Sequence, residues 1–337
     1  MRNCFIILLV ALIFNSCKND LEINANWIET PVVYGFIDAY ADTQYIRVEK
    51  TYQNSVDMST KAGAQIADSL YFDSTLQVKV IHYNYLKFDT LTFKRVALQK
   101  QDGIFQSGTN YIYQYVYKPG KGSINDLYWL YIYNPKSGKT YVSDKTSLVD
   151  STSFPKIENS VNFTSPDQQG NIGSFYYHTV LGQNAKIYDL FVRMNYIEHY
   201  ADNTQSSKYI DYFFQKNWVI DASTTDFINN VFKARAYIDY LTSNLPATDN
   251  VISRTYVNMQ YYASGGASEL AYLTALSQPS GTIVPKNTQH FIKNTYAANE
   301  PKALGIFSSL SIHAITPTFP SGSDASLKIA LKQVPLF

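Results

Sequence analysis

The sequence predicts a mainly β protein: an N-terminal β-sandwich of the immunoglobulin or fibronectin-III kind over residues 31–150, then a second β-rich domain with two helices over residues 151–337. Three observations predict it. Short runs of alternating apolar and polar residues recur through the first half, each closed by a turn cluster, as half-buried strands require. The second half carries longer runs of the same kind, interrupted twice by apolar stripes at helical spacing. Tyrosine is abundant, with 29 residues against 3 tryptophans, and its apolar ring and wet hydroxyl suit a pleated surface that is partly buried. Carbohydrate-binding platforms use the same chemistry.

The chain opens with Met1-Arg2-Asn3, an apolar run from Phe5 to Phe14, and then Asn15-Ser16-Cys17. A charged start, a short apolar core and a small residue at the cut form the layout of a secretory signal, here residues 1–16. Ten helical residues span about 15 Å, half of a bilayer's hydrocarbon core, so the run is too short to cross a membrane. Ser16 before Cys17 is what a bacterial lipoprotein peptidase requires, so Cys17 is the expected lipidation site. Acyl chains contribute about 0.8 kcal/mol per buried methylene, and several together make a stable anchor. Residues 17–30 follow as a tether without periodicity. In it, Lys18-Asn19-Asp20 resembles the export signal of surface lipoproteins, with Asn19 interrupting the pattern. Cys4 leaves with the signal and Cys17 is acylated, so no cysteine remains for a disulfide and stability must come from burial. Removing Arg2 brings the side chains from +1 to neutrality. With no basic stripe anywhere, nucleic acid is excluded as a partner.

Strands are expected at Pro31–Ile37, Gln44–Lys50, Leu76–Tyr83, Asp89–Val96, Asn110–Tyr117, Leu127–Tyr133 and Thr140–Ser143. The polar stretch Gln53–Asp68 reads as a long loop, and Asn134-Pro135-Lys136-Ser137-Gly138 as a turn. A boundary falls at Asp150–Pro155. Longer strands follow at Ser174–Leu181, Ile187–Tyr200, Lys208–Ile220 and Val251–Ala263, with a last one at Leu304–Ile312. The first helix, near 224–242, starts at Ser223-Thr224-Thr225-Asp226, which resembles a capping box, and carries Phe227, Val231, Ala234, Ile238 and Leu241 on one stripe. The second lies near 267–277, between Gly265-Gly266 and Pro279.

Catalytic and metal-binding templates find no match. His82, His178, His199, His290 and His313 stand in no zinc spacing, and no calcium loop or Gly-x-Ser-x-Gly elbow occurs. Glu198 and His199 are strand neighbours that point to opposite faces, and they read as a surface pair. Gly265-Gly266 reads as a plain loop before a helix. Asp221, Asp226 and Asp249 form a glycosidase pair only if the fold brings two of them within about 5–10 Å. No enzyme activity, cofactor or metal is therefore expected.

Three stretches, Glu29–Gly35 with Gln44–Val48, Asp102–Phe105 with the Tyr-rich strand leading to Asn134–Lys139, and Ala303–Ser309, resemble a family of uncharacterised Bacteroidota outer-membrane lipoproteins. The resemblance implies two β-rich domains, a place in the outer membrane and association with TonB-dependent uptake systems. It carries no catalytic residues. The function expected is a non-enzymatic, lipid-anchored protein that binds a glycan or peptide ligand or docks onto a TonB-dependent transporter. An envelope spacer or adhesin, and a glycan hydrolase, are the alternatives.

Overall fold

The computed structural model describes residues 29–51, 70–99, 109–120, 123–150, 163, 174–220, 227–277, 291–292, 302–315 and 323–337. Thirteen strands form one large mixed sheet and two more form a separate pair, with three helices among the described residues. Cys17, Lys18, Asn19, Asp20 and the expected signal lie outside the described residues, as does the expected boundary at 151–155.

The first half contributes β1 (Pro31–Ile37), β2 (Thr43–Lys50), β3 (Gln77–Tyr83), β4 (Phe88–Gln99), β5 (Thr109–Val116), β6 (Leu127–Asn134), β7 (Lys139–Val142) and the two-residue β8 (Thr146–Ser147). The expected alternation is present. In β3 and β6 every second residue is buried, so Val78, Val80 and His82 point inward with Tyr128, Leu130 and Ile132. The twelve-residue β4 changes partners midway: Phe88–Phe93 pair with β3, and Lys94–Gln99 pair with β5. Val33, Ile46, Val48, Val78, Val80, Leu130 and Ile132 thereby share one buried cluster.

The second half contributes β9 (Ser174–Val180), β10 (Ile187–Tyr200), β11 (Gln205–Val219), β12 (Phe227–Lys233), β13 (Val251–Gly266), β14 (Phe291–Ile292) and β15 (Ala303–Ile315), with α1 (Ala234–Asn244), α2 (Ser268–Ser277) and α3 (Ser323–Leu331). Strands β11, β10, β13 and β15 lie side by side in that order. Inward residues Leu190, Val192, Met194, Met259 and Tyr261 form a second core with Tyr237, Ile238 and Leu241 of α1 and Leu327 and Leu331 of α3. β15 joins the halves. It runs antiparallel to β13 and parallel to β1, so the sheet continues from one half of the sequence into the other.

Two helix expectations are corrected. The helix expected over 224–242 begins only at Ala234, because residues 227–233 form β12 against β9. Phe227, Ile228, Val231 and Phe232 are β-branched or aromatic, and the Asn229-Asn230 pair between them favours a helix poorly. Residues 221–226, with the capping-box serine, lie outside the described residues; the cap position is Lys233, which makes no side-chain cap bond. A third helix, α3, joins the two expected ones. Its buried apolar residues, Leu327, Ala330 and Leu331, stand beside a buried Ser326 and make a stripe too short to stand out by periodicity.

Candidate functional site

The halves meet in a polar junction. Ser309 Oγ of β15 donates to Ile37 O (3.0 Å) and accepts from Val149 N (2.8 Å). Asn184, in the left-handed region at φ 67°, donates to Ile124 O and Leu148 O at 3.1 and 2.9 Å. Tyr40 hydrogen-bonds Asp150 through its hydroxyl. β13 reaches this place closely packed: a Cβ on Gly266 would lie 2.5 Å from Leu270 Cδ2 and 2.8 Å from Ile187 Cγ2. Gly265-Gly266 is therefore the end of a packed strand leading into α2.

Beside this junction lies a hollow of about 270 Å³, lined by Lys145, Thr146, Ser147, Asn184, Lys186 and the start of α2 from Ala267 to Glu269. Three hydroxyls hold the Glu269 carboxylate. Ser308 Oγ donates at 2.8 Å and Thr146 Oγ1 at 3.1 Å to one oxygen, and Ser268 Oγ donates at 3.1 Å to the other. Those bonds fix Glu269 as part of the wall. Lys145 and Lys186 are exposed and make no ion pair among the described residues, so they are the charged groups left to meet a ligand. Lys145 Nζ also lies 5.0 Å from the Trp129 ring centroid, a cation–π distance that connects the hollow to the outer face of β6.

That face is aromatic. Tyr83 stacks on Phe88 with centroids 4.6 Å apart, and Phe88 meets Trp129 edge to face at 6.1 Å. The β3–β4 turn projects Leu86 at 92 % exposure and Tyr85 at 62 %. Asn84 pre-forms this turn by accepting from Leu86 N and Lys87 N at 3.2 and 3.0 Å, while Tyr85 takes the left-handed φ of 67°. β6 runs from Leu127, opposite Tyr83, to Asn134, whose amide donates to Glu29 Oε1 at 3.1 Å. The turn and the hollow thus lie one strand length, about 25 Å, from Glu29, where the described residues begin.

Neither a protein-family model nor a curated protein sequence matches the chain. Function must therefore be argued from these side chains alone.

The remaining polar clusters tie strands together. His82 is buried, stacked on Tyr128 at 4.6 Å, with Nε2 2.7 Å from Asp126 Oδ2 and Nδ1 3.8 Å from Asp89. Arg193 forms a bidentate pair with Asp211 at 2.7 and 2.8 Å, which raises its pKa further, and lies 4.0 Å over Tyr209. The reading of Glu198-His199 as a surface pair is corrected. The two do face opposite sides, but Glu198 is buried against Arg254 at 3.1 Å, while His199 is half-buried beside Thr255. Of the three carboxylates weighed for hydrolysis, Asp221 and Asp226 lie outside the described residues and Asp249 sits exposed in a turn. His290 also lies outside them, and His178 and His313 fall on strands β9 and β15. Among the described residues no three metal-ligating side chains cluster. Lys145, Lys186 and Glu269 were not expected as site residues. A Lys-Thr-Ser run after a strand, and Ser-Glu at a helix start, gave the only local hints.

Proposed function

We propose that the chain is a lipid-anchored, non-enzymatic binding protein of the outer membrane that captures a ligand at the junction hollow as an accessory to a nutrient-uptake system. The observation that carries this reading is the hollow itself. It is concave, is walled by a carboxylate already held by hydroxyls, and is open to two lysines that make no ion pair among the described residues, with an aromatic face beside it. Such a surface offers hydrogen bonds and charge, as binding requires. The lipobox-like Ser16-Cys17 supports the anchor, and Lys18-Asn19-Asp20 supports outward display. The distance of the hollow from the tether end suits a ligand or transporter met above the membrane. We also read the first half as a sandwich of fibronectin-III type, because β4 changes partners midway and encloses one core.

Capture from detergent-solubilised envelopes tests this. The tagged full chain is compared with K145E/K186E, and labelled palmitate reports acylation of Cys17 against C17S. Co-purification of an envelope transporter or small ligand with the parent and not with the charge-reversed chain is the expected result. Recovery of neither, with a transporter present in the extract, removes the reading. The adhesin alternative has support of its own in the exposed Tyr85-Leu86 turn. It predicts capture that depends on that turn and is indifferent to K145E/K186E.

A further inference from the structure

The outer face of β6 carries a feature that the hollow does not use. Trp129, Tyr131 and Tyr133 alternate with the buried Tyr128, Leu130 and Ile132, so three aromatic rings stand on one face at successive rungs. Rungs two residues apart are about 6.8 Å apart, and neighbouring strands about 4.8 Å. The register supplies their flanks. Ile81, Lys79 and Gln77 of β3 stand opposite Trp129, Tyr131 and Tyr133, and Val142 and Thr140 of β7 stand opposite Tyr131 and Tyr133. Thr90 and Thr92 of β4 pair with Ile81 and Lys79 and so share this face, with Phe88 opposite Tyr83 at its upper end.

All three β6 rings are half-buried. No described residue hydrogen-bonds the Tyr131 or Tyr133 hydroxyl. Strands β3, β4, β6 and β7 carry one carboxylate, Asp89, which stands in the inward phase beside His82, so none of these strands sets a carboxylate on this face. The result is a ladder of rings with polar groups on the same rungs: Gln77 and Thr140 beside Tyr133, Lys79 beside Tyr131, and Thr90 beyond Ile81 at Trp129. A protein interface would call for a contiguous apolar centre with polar groups at its rim. A sugar ring has the complementary surface, with C–H bonds that lie against an aromatic ring and hydroxyls around its edge that reach the flanking polar groups.

We propose that this face is a binding strip for an extended polysaccharide, laid along β6 with its sugar rings against Trp129, Tyr131 and Tyr133 and its hydroxyls bonded by Thr90, Thr92, Thr140, Gln77 and Lys79. It rests on the reading of the chain as a ligand-binding protein and names the ligand class. The chain would be held along the strip, at the end of which the hollow lies.

The test is native electrophoresis of the full chain through gels containing xylan, glucomannan, dextran or polygalacturonate. Three variants are run beside the parent: Y131L/Y133L, which keeps apolar bulk on the strand; Y131F/Y133F, which restores the rings; and K186E, which alters the hollow and leaves Lys145 over Trp129. Retardation of the parent by at least one polysaccharide is expected. It should weaken about tenfold or more in Y131L/Y133L, return in Y131F/Y133F and persist in K186E. No retardation in any gel overturns the strip, as does equal binding by the Leu and Phe variants or loss in both. So does capture of an envelope protein that depends on Tyr131 and Tyr133 without polysaccharide binding. Failure of the strip leaves hollow capture to its own charge-reversal test, so the two readings fail separately.

Discussion

Arg254→Met should be among the most damaging single substitutions in the second half. Arg254 Nε donates to Glu198 Oε1 at 3.1 Å, and its Nη atoms donate to Leu245 O, Pro335 O and Pro246 O at 2.8, 3.0 and 3.0 Å. One side chain therefore joins β10 and β13 to the end of α1 and to the C-terminal residues. Its side chain is only 3 % exposed and that of Glu198 12 %. Methionine fills similar volume but leaves three carbonyls without this donor and leaves Glu198 with only the Tyr200 hydroxyl at 2.9 Å. Breaking a buried pair from one side costs about 3–5 kcal/mol, against a total stability of about 5–15 kcal/mol. A melting temperature lower by on the order of 10 °C follows. E198L/R254M removes both charges and should recover most of the loss, because the cost comes chiefly from the stranded carboxylate. Urea unfolding followed by circular dichroism measures all three. A single variant within about 0.5 kcal/mol of the parent would show that water or relaxation already compensates Glu198, and the reasoning would fall.

Gly305 of β15 takes φ 104°, and a Cβ there would lie 1.9 Å from Val33 O, so G305A should break the β1–β15 ladder and cost more than about 2 kcal/mol. G266A, which meets mainly movable side chains, should cost less; similar stability losses in the two would contradict this ranking. The Tyr237 hydroxyl is fully buried with no hydrogen-bond partner among the described residues, so Y237F should leave stability unchanged or raise it by up to about 1 kcal/mol. A measured loss above that would mean the hydroxyl is bonded. Burial pushes Tyr113 up to about 12 and also raises Tyr128, Tyr188 and Tyr237. The unfolded chain then loses these protons first. Stability is intact below about pH 10 and falls above it by at most about 1.4 kcal/mol per pH unit for each tyrosine, or about 5.5 kcal/mol per pH unit for the four together. Tyrosinate absorbance and circular dichroism should change together in one step; titration of every tyrosine near pH 10 with the fold retained would refute this.

Local pattern carried most of the fold. β1 and β10 have the bounds that alternation alone predicts, because a pleated strand with one buried face writes its period into adjacent residues. Partner choice is not written there. Gly305 pairs with Val33 across most of the chain, and nothing near either residue names the other. The stripe Phe227-Val231-Ala234 suited a helix, but β9 opposite made a strand of its first seven residues. The hollow was illegible for the same reason: Lys145, Lys186 and Glu269 come from three segments that meet only once β15 has joined the halves.

Glu198 and Arg254 mark the limit more sharply. Glu198 shares its phase with Leu190, Val192, Met194 and Tyr196, all buried, so its inward direction was readable from β10 alone. Arg254 was not readable in this way. On β13 the inward residues Met259, Tyr261 and Ala263 are odd-numbered, and strict alternation would turn Arg254 outward. Between Asn195 and Tyr196 the ladder slips by one residue, so Tyr196 meets Tyr256 and Glu198 meets Arg254. That irregularity inverts the phase of the strand beyond it, as a bulge does. An arginine that alternation assigns to solvent is thereby carried to the buried carboxylate. A variant deleting Val257 removes the extra residue, and strict alternation then keeps Arg254 inward, opposite Glu198. It should lose much less stability than R254M, and adding R254M to it should cost as much as in the parent; a loss equal to that of R254M would show that the slip does not set the direction of Arg254.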